Sequence, residues 1–193
     1  MKETLRGFKM DEASNEPEEV KEVFDWYKEN FGFVPNLTKV LSASPAALRS
    51  YWLTQSELQK YGQLSPEEHN IIQMAIAVEN RCKYCAAGHQ AAGGYFGSEE
   101  NDLLAIRQES DIPNQKFQVL RAFALEVYRE KGRVSEGTLN AFLAAGYSRG
   151  QAIEVIANIA VKVLSNLVNQ LTLNEVDEPF APLAQGLFEE TIQ

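Results

Sequence analysis

The chain has 193 residues, of which 45% are hydrophobic and 23% are charged, and its formal net charge at pH 7 is -9. This composition is typical of a globular protein with enough apolar material for a substantial core, so we predict one domain over residues 1–193. Lys and Arg occur only in scattered positions. Because phosphate binding needs clustered positive charge, this pattern argues against nucleic acid as a partner.

Helix start and stop signals follow one another along the whole chain, and strand alternation is almost absent. The predicted fold class is therefore all-α, a single-domain helical bundle. The predicted helices span residues 17–30, 36–41, 45–62, 66–80, 82–93, 98–108, 114–131, 135–146 and 149–170. The expected N-caps are Asn36, Ser44, Ser65, Ser98, Asn114, Ser135 and Ser148, and the expected glycine stops are Gly32, Gly62 and Gly132.

The core of this bundle is predicted over about residues 31–182, with the helix 17–30 and the tail 174–193 as extensions. The helix 149–170 has an apolar surface too broad for a single stripe on a peripheral helix. We therefore expect it to lie at the centre of the molecule or to be buried in an oligomer.

Membrane and secreted proteins are the next classes to consider. No apolar run approaches the roughly 20 residues of a membrane-spanning helix, and residues 1–20 lack the apolar stretch of a secretory signal. We therefore predict a cytoplasmic protein that does not bind a membrane. In a reducing compartment Cys82 and Cys85 are poor candidates for a structural disulfide, because so short a loop restrains little chain entropy. Redox cycling and metal binding remain as possible roles for this cysteine pair.

Cys82, Cys85 and His89 are the candidates for redox chemistry, because at i, i+3 and i+7 of a helix they share one face. A cysteine in the first helical turn is made more acidic by the helix dipole and the unpaired N–H groups. The second thiol would then close a disulfide with an oxidised first thiol. His89 is placed to move the proton, and Glu79 is the candidate to orient its imidazole.

A zinc site is the competing interpretation, because Cys82, Cys85, His89 and His69 form a nominal Cys2His2 set. Structural zinc usually supports a small domain with little core, whereas this chain has ample apolar material. His69 also lies on a separate segment. We therefore predict no metal and no other cofactor.

The chain resembles the carboxymuconolactone decarboxylase and alkylhydroperoxidase D superfamily, in its peroxidase-related branch. The resemblance rests on five motifs and covers about residues 31–182. The motifs are CxxCxxxH at 82–89, FGFVPNL at 31–37, SPAAL at 44–48, LSPEE at 64–68 and AAGYS at 144–148. The resemblance implies an all-helical, alkylhydroperoxidase D-like fold that assembles into homotrimers or homohexamers.

The same resemblance implies a disulfide-cycling peroxidase activity. By position, Cys85 would attack the hydroperoxide and Cys82 would resolve the product, while His89 would belong to a proton relay with a glutamate. An external dithiol reductant protein would restore the thiols. The resulting hypothesis is a thiol-dependent hydroperoxide reductase.

Two positions depart from the pattern of the family. The relay glutamate is replaced by Asn70, which leaves Glu79 or Glu68 as its substitute, and Gln170 stands where a histidine is expected. Two alternatives stay open on the same scaffold. One is a decarboxylase-like lyase, for which a basic residue such as Arg81 would matter, and the other is a non-catalytic redox sensor that switches between dithiol and disulfide.

Overall fold

The computed structural model describes residues 2–10 and 17–188. These residues form a short β-hairpin followed by a bundle of helices, so the predicted all-α class is confirmed. The elements are β1 (Lys2–Glu3), β2 (Lys9–Met10), α1 (Glu18–Phe31), α2 (Asn36–Leu41), α3 (Pro45–Tyr61), α4 (Pro66–Glu79), α5 (Lys83–Ala91), α6 (Gly93–Phe96), α7 (Glu100–Arg107), α8 (Gln115–Arg129), α9 (Glu136–Ala144), α10 (Arg149–Thr172), a 3-10 turn (Glu178–Phe180) and α11 (Ala181–Ala184). Strands β1 and β2 pair antiparallel, with Lys2 opposite Met10.

The helix starts follow from local hydrogen bonding. The Ser65 side chain accepts from the backbone N–H of Glu68, and the Glu68 carboxylate accepts from the backbone N–H of Ser65, which closes a capping box on α4. Ser148 and Gln151 form the equivalent box on α10. Two of the longest helices of the bundle therefore have starts that are defined within four residues of sequence.

Two predicted caps are wrong, because other groups take their place. Asn36 is the first residue of α2, and its backbone N–H donates to the Asp177 carboxylate, at 3.0 Å from Oδ1. The N-cap of α7 is Glu99, and the Ser98 hydroxyl accepts a hydrogen bond from Asn70 instead. In both cases a hydrogen bond with a residue distant in sequence takes the place of the expected local cap. Sequence spacing alone does not reveal such a partner.

Helix α4 is the centre of the bundle. Its residues 68–78 are all buried, and it packs against α5, α6, α7, α8 and α10. A helix that is buried on every side has no solvated face, which explains its nearly continuous apolar sequence from Ile71 to Val78. Helix α5 is therefore packed against the most buried helix of the bundle.

Helix α10 is the second core element, and it packs against α2, α3, α4, α5 and α8. It is long and apolar enough to span a membrane by length and composition, with a mean hydropathy of 1.4 over its most apolar window. However, one face carries buried polar side chains that contact its neighbours in the bundle: Asn158, Lys162, Ser165, Asn166 and Asn169. It is a core helix, in agreement with the prediction of a central position.

Candidate active site

The two cysteines lie at the start of α5. Cys82 is the N-cap residue and Cys85 is in the first turn, as the sequence predicted. Both thiols are reduced and buried, with 2% and 3% exposure respectively. They are close enough for Cys82 to donate a hydrogen bond to the sulfur of Cys85.

The shared hydrogen bond makes the two cysteines unequal. Burial alone would raise the pKa of Cys85, but the hydrogen bond from Cys82, the Lys162 ammonium and two asparagine amides lower it to about 6. The pKa of Cys82 is raised, first by its hydrogen bond to Cys85 and then by burial. Cys85 is therefore a thiolate at pH 7, whereas Cys82 keeps its proton.

Helix α10 supplies the amides that face the Cys85 sulfur. Asn169 Nδ2 donates to Cys85 Sγ at 3.2 Å, and Asn174 fixes this orientation by donating to Asn169 Oδ1 at 3.0 Å. Asn166 also lowers the Cys85 pKa, and its Oδ1 accepts from Asn80 Nδ2 at 2.9 Å, while its Nδ2 is buried without a direct hydrogen-bond partner among the described residues. Since Asn174 occupies the Asn169 carbonyl, the N–H end of Asn169 is directed at the thiolate.

Lys162 adds a positive charge to the same environment. It is 2% exposed, and its charge lowers the pKa values of Cys85 and Cys82. Within residues 2–10 and 17–188 its ammonium forms no ion pair with a carboxylate. A buried lysine without a carboxylate partner is costly, so the thiolate of Cys85 is the compensating anion available to it.

His89 lies one turn after Cys85, and its ring is held by Asn70. Its Nδ1 is 2.7 Å from Asn70 Oδ1, while Asn70 Nδ2 donates to Ser98 Oγ at 3.0 Å and approaches His89 O at 3.4 Å. The amide nitrogen faces two acceptors, so its oxygen must accept from His89 Nδ1–H. The other ring nitrogen, Nε2, therefore carries the lone pair. Burial, followed by the charge of Lys162, lowers the pKa of His89 well below its usual value, so the ring is neutral.

The structure does not bring Glu79 or Glu68 to His89. Both carboxylate oxygens of Glu79 accept from Arg129, at 2.7 and 2.5 Å, and this ion pair lowers the pKa of Glu79. Glu68 caps α4 and accepts from Lys116 Nζ at 2.9 Å. The position that the resemblance assigns to the relay glutamate is the one that contacts His89, and it holds Asn70.

The remaining sequence candidates also have other partners. His69 Nδ1 is 3.0 Å from Asn158 Oδ1, and its Nε2 is 3.3 Å from Glu154 Oε1, so it does not join the cysteines. Over the part of the chain that the structure describes, no group of three His, Cys, Asp or Glu side chains is arranged to hold a metal ion. Gln170 donates to Asn80 O at 2.6 Å.

Arg81, the basic residue suggested for a lyase, lies outside the site. Its guanidinium stacks on the ring of Phe188, with 5.0 Å between Cζ and the ring centroid, and it does not line the cavity at Cys85. Nothing in its position favours the decarboxylase-like alternative.

Cys85 opens onto a cavity of about 140 Å³ that is lined by residues of α1 to α6, α10 and the 3-10 turn. Its polar lining includes Cys85, His89, Asn70, Lys162 and Gln73. Aromatic rings of α1, α3 and α6 contribute to its apolar lining. Cys82 does not line the cavity, so a compound inside it meets Cys85 first.

Sequence reasoning missed Lys162, Asn166 and Asn169. All three lie on α10, together with Asn158, at spacings of four, four and three residues. Polar residues at helical spacing within an otherwise apolar helix mark a second, buried polar face. The spacing of these polar residues could have indicated the buried polar face. The broad apolar surface of the same helix drew the prediction instead.

Comparison with known proteins identifies the fold. No protein family model matches the sequence, and no curated protein matches it. An uncharacterised peroxidase-related protein from Ralstonia eutropha JMP134, described as an alkylhydroperoxidase AhpD core, has a similar structure, with a TM-score of 0.80 and 23% identity over 89% of this chain and 92% of that one. A peroxidase-related protein from Silicibacter sp. TM1040 has a TM-score of 0.77 and 19% identity over 93% and 96% of the two chains.

A third similar structure is that of the debrominase Bmp8, with a TM-score of 0.76 and 20% identity over 92% of this chain and 95% of that one. A cysteine-to-alanine variant of the same debrominase has been solved with 2,3,4-tribromopyrrole bound. The predicted resemblance is thus confirmed at the level of the fold: this chain has the alkylhydroperoxidase D-like fold of the peroxidase-related proteins.

Proposed function

We propose that this protein is a thiol-dependent hydroperoxide reductase in which Cys85 attacks the peroxide and Cys82 resolves the product. The observation that carries the proposal is the ionisation of Cys85 beside a cavity. Its pKa is lowered to about 6, and its sulfur, held by Asn169, faces a cavity. A thiolate at neutral pH beside a space for substrate is what attack on a hydroperoxide requires.

In the first step the Cys85 thiolate attacks the terminal oxygen of the hydroperoxide. The S–O bond forms and the O–O bond breaks, which oxidises Cys85 to a sulfenic acid and reduces the hydroperoxide to an alkoxide. The alkoxide takes up a proton and leaves as an alcohol. Lys162, which lines the cavity, places its positive charge where the alkoxide develops.

His89 handles the proton of this step. Cys85 is already ionised, so the proton for the alkoxide comes from solvent. Because Asn70 holds the Nδ1–H, Nε2 is free to take up this proton and pass it to the alkoxide. The lowered pKa of His89 makes its protonated form a strong acid, which favours this transfer. An asparagine in place of a glutamate fixes the tautomer but adds no negative charge to stabilise the imidazolium.

Cys82 completes the cycle. Its pKa is raised mainly by its hydrogen bond to Cys85, so conversion of Cys85 to an uncharged sulfenic acid makes the Cys82 thiol easier to ionise. Cys82 sulfur then attacks Cys85 sulfur and displaces hydroxide, which leaves as water after taking the Cys82 proton. An external dithiol reduces the disulfide by exchange.

Peroxide consumption in the presence of dithiothreitol tests the proposal. We expect the wild type to turn over, and we expect the rate of peroxide consumption to fall more than about 100-fold in Cys85→Ser. Cys82→Ser should complete a single turnover without recycling through the disulfide. His89→Ala should reduce the rate by about 100-fold. Glu79→Gln is the matched control, because this carboxylate pairs with Arg129, and its rate should stay within about twofold.

Undiminished peroxide consumption by Cys85→Ser would contradict the proposal. Oxidation of both cysteines in the wild type without sustained turnover would instead identify a redox sensor.

A second candidate, reductive debromination, is favoured by the aromatic side of the cavity and by the fold shared with the debrominase. In that reaction the Cys85 thiolate would attack a ring bromine, forming an S–Br bond and a ring carbanion that takes a proton. Cys82 would then displace bromide and close the disulfide. Bromide release from a polybrominated pyrrole in the presence of dithiothreitol measures this activity, and absence of release from an active peroxidase would exclude it.

A further inference from the structure

Part of the cavity lining is a continuous wall of aromatic rings. Helix α3 contributes Trp52, which contacts Trp26 of α1 with ring centroids 4.7 Å apart. The wall continues through Phe31 to Tyr95 at 5.2 Å and to Phe96 at 5.1 Å. Successive rings along the wall meet edge to face or tilted, and all five line the cavity.

The last ring of this wall reaches the reactive residues. Phe96 is stacked on His89 with 6.5 Å between the ring centroids. A ring seated on the wall would therefore have its substituents close to His89 and Cys85, both of which line the same cavity. The wall is part of the site rather than a separate patch.

The volume of the cavity is sufficient for a single ring. At about 140 Å³ it is close to the roughly 150 Å³ apolar cavity that, in another protein, binds benzene. One six-membered ring with a small substituent fits this space. Aromatic ligands gain stacking and edge-to-face contacts beyond what an aliphatic ligand of the same size gains.

Charge further restricts the ligand. Among the described residues that line the cavity there is no Asp or Glu, and Lys162 supplies a positive charge. The Cys85 thiolate is already paired with the Lys162 ammonium, so a cationic ligand would find no free counter-ion and would be repelled by Lys162. A neutral oxygen-bearing substituent finds a donor in the Lys162 ammonium, since the N–H groups of Asn70 and Gln73 already donate within the protein.

We propose that this cavity binds neutral compounds with a single aromatic ring that carries an oxygen-bearing substituent, seated on the wall of Trp26, Trp52, Phe31, Tyr95 and Phe96. The inference builds on the proposed function in one respect, since it makes arylalkyl hydroperoxides the preferred substrates of Cys85. The ring supplies the binding contacts and the substituent carries the O–O bond to the thiolate.

Tryptophan fluorescence tests the proposal directly, because both tryptophans of the chain, Trp26 and Trp52, line the cavity. The probes are benzyl alcohol, its non-aromatic counterpart cyclohexylmethanol, and the cation benzylammonium. We expect a saturable change with benzyl alcohol, at a Kd about tenfold or more below that of cyclohexylmethanol and of benzylammonium.

A variant pair ties the binding to the wall. Trp52→Leu should raise the Kd of benzyl alcohol about fivefold and leave the Kd of cyclohexylmethanol within about twofold. Trp26 remains as the fluorescent reporter. Tyr61→Leu is the control, since it removes an exposed ring of the same helix that does not line the cavity. It should change neither Kd.

Equal affinities for benzyl alcohol and cyclohexylmethanol, or for benzyl alcohol and benzylammonium, would overturn the proposal, as would the lack of a saturable change. The titration contains no peroxide. Failure to bind rings and failure to reduce hydroperoxides are therefore separate results.

Discussion

After the hydrogen bond from Cys82, the charge of Lys162 is the next cause that lowers the Cys85 pKa, and among the described residues this buried ammonium has no carboxylate partner. We predict that Lys162→Met raises the Cys85 pKa from about 6 by at least about one unit, because an opposite charge favours the ionised thiol. The thiolate fraction at pH 7 falls accordingly. The measurement is the pH dependence of iodoacetamide alkylation, followed at Cys85 by mass spectrometry.

Lys60→Met is the control for this prediction. It removes the same charge from an exposed position of α3, where the lysine lies over the ring of Tyr61. The alkylation midpoint of Cys85 should stay near pH 6 in the control. An unchanged midpoint in Lys162→Met would show that hydrogen bonds alone lower the Cys85 pKa.

Asn70 fixes the tautomer of His89. In Asn70→Asp a carboxylate replaces the amide oxygen that lies 2.7 Å from His89 Nδ1, and a negative charge there favours the imidazolium. We therefore predict that the pKa of His89 rises, and that the peroxidase rate falls because the imidazolium is then a weaker proton donor to the alkoxide.

The His89 C2–H resonance, followed by NMR against pH, measures this change. Asn30→Asp, at the exposed end of α1, adds the same charge away from the site and should leave the His89 titration unchanged. If Asn70→Asp also leaves it unchanged, the Asn70–His89 hydrogen bond does not control the ring.

The functional residues were predictable to different degrees. Cys82, Cys85 and His89 lie in one short helix, where spacing alone places them together. The partner of His89 comes from another helix, so the nearby Glu79 was chosen although its carboxylate pairs with Arg129. Because Lys162 approaches Cys85 only through tertiary packing, no local signal links the two.

The helix ends illustrate the same contrast. Those with a local device, such as the capping boxes at Ser65 and Ser148, begin as predicted. The start of α2 depends on Asp177, about 140 residues away in sequence. Tyr84, between the two cysteines, also donates to Asp177, so the tail that the sequence presented as an extension positions both α2 and α5.

The connection between α3 and α4 gives a stability prediction. A Cβ added at Gly62 would lie 2.2 Å from the backbone oxygen of Leu58 and 2.3 Å from a Glu154 carboxylate oxygen. Glu154 also accepts from the backbone N–H groups of Gln63 and Leu64, so it cannot withdraw without breaking them. We predict that Gly62→Ala lowers the free energy of unfolding by about 1–3 kcal/mol, measured by urea denaturation.

Gly137→Ala is the matched control on α9. There the nearest atom to an added Cβ is 4.0 Å away, and alanine favours the helix, so stability should stay equal or rise by up to about 1 kcal/mol. Equal stability of Gly62→Ala and the wild type would mean that the α3–α4 connection relaxes without cost.

Within residues 2–10 and 17–188, one face of α10 has no packing partner. Large apolar side chains are exposed there at helical spacing: Ile153, Ile156, Leu167 and Leu171. The opposite face of the same helix carries the amides that contact Cys85. We propose that the exposed face joins copies of this chain into the trimer or hexamer that the sequence resemblance implied, because exposed apolar stripes of this length mark interfaces.

We predict that the double substitution Ile156→Glu and Leu167→Glu dissociates this assembly, since it buries two unpaired charges per subunit. Light scattering coupled to size-exclusion chromatography gives the mass. Glu130→Gln, at the exposed residue that follows α8, is the control and should keep the wild-type mass. A wild-type chain that elutes as a monomer would contradict the assembly.

The fold as a whole was the most predictable level. Its all-helical class and alkylhydroperoxidase D-like architecture follow from repeated capping signals and from motifs spread over the chain. The β-hairpin of residues 2–10 was missed because each strand has two residues, too few for an alternating pattern. The aromatic wall was missed because α1, α3 and α6 are distant in sequence and meet only in the folded molecule.

Sulfenic acid trapping decides most directly whether Cys85 is the peroxide-attacking thiolate. Reduced Cys82→Ser and Cys85→Ser variants are each mixed with one equivalent of hydroperoxide and dimedone, and the adduct is located by mass spectrometry. We predict an adduct on Cys85 in Cys82→Ser and none on Cys82 in Cys85→Ser, because Cys85 has a lowered pKa and lines the cavity, whereas Cys82 does not line it. An adduct on Cys82, or none in either variant, would contradict the proposed mechanism.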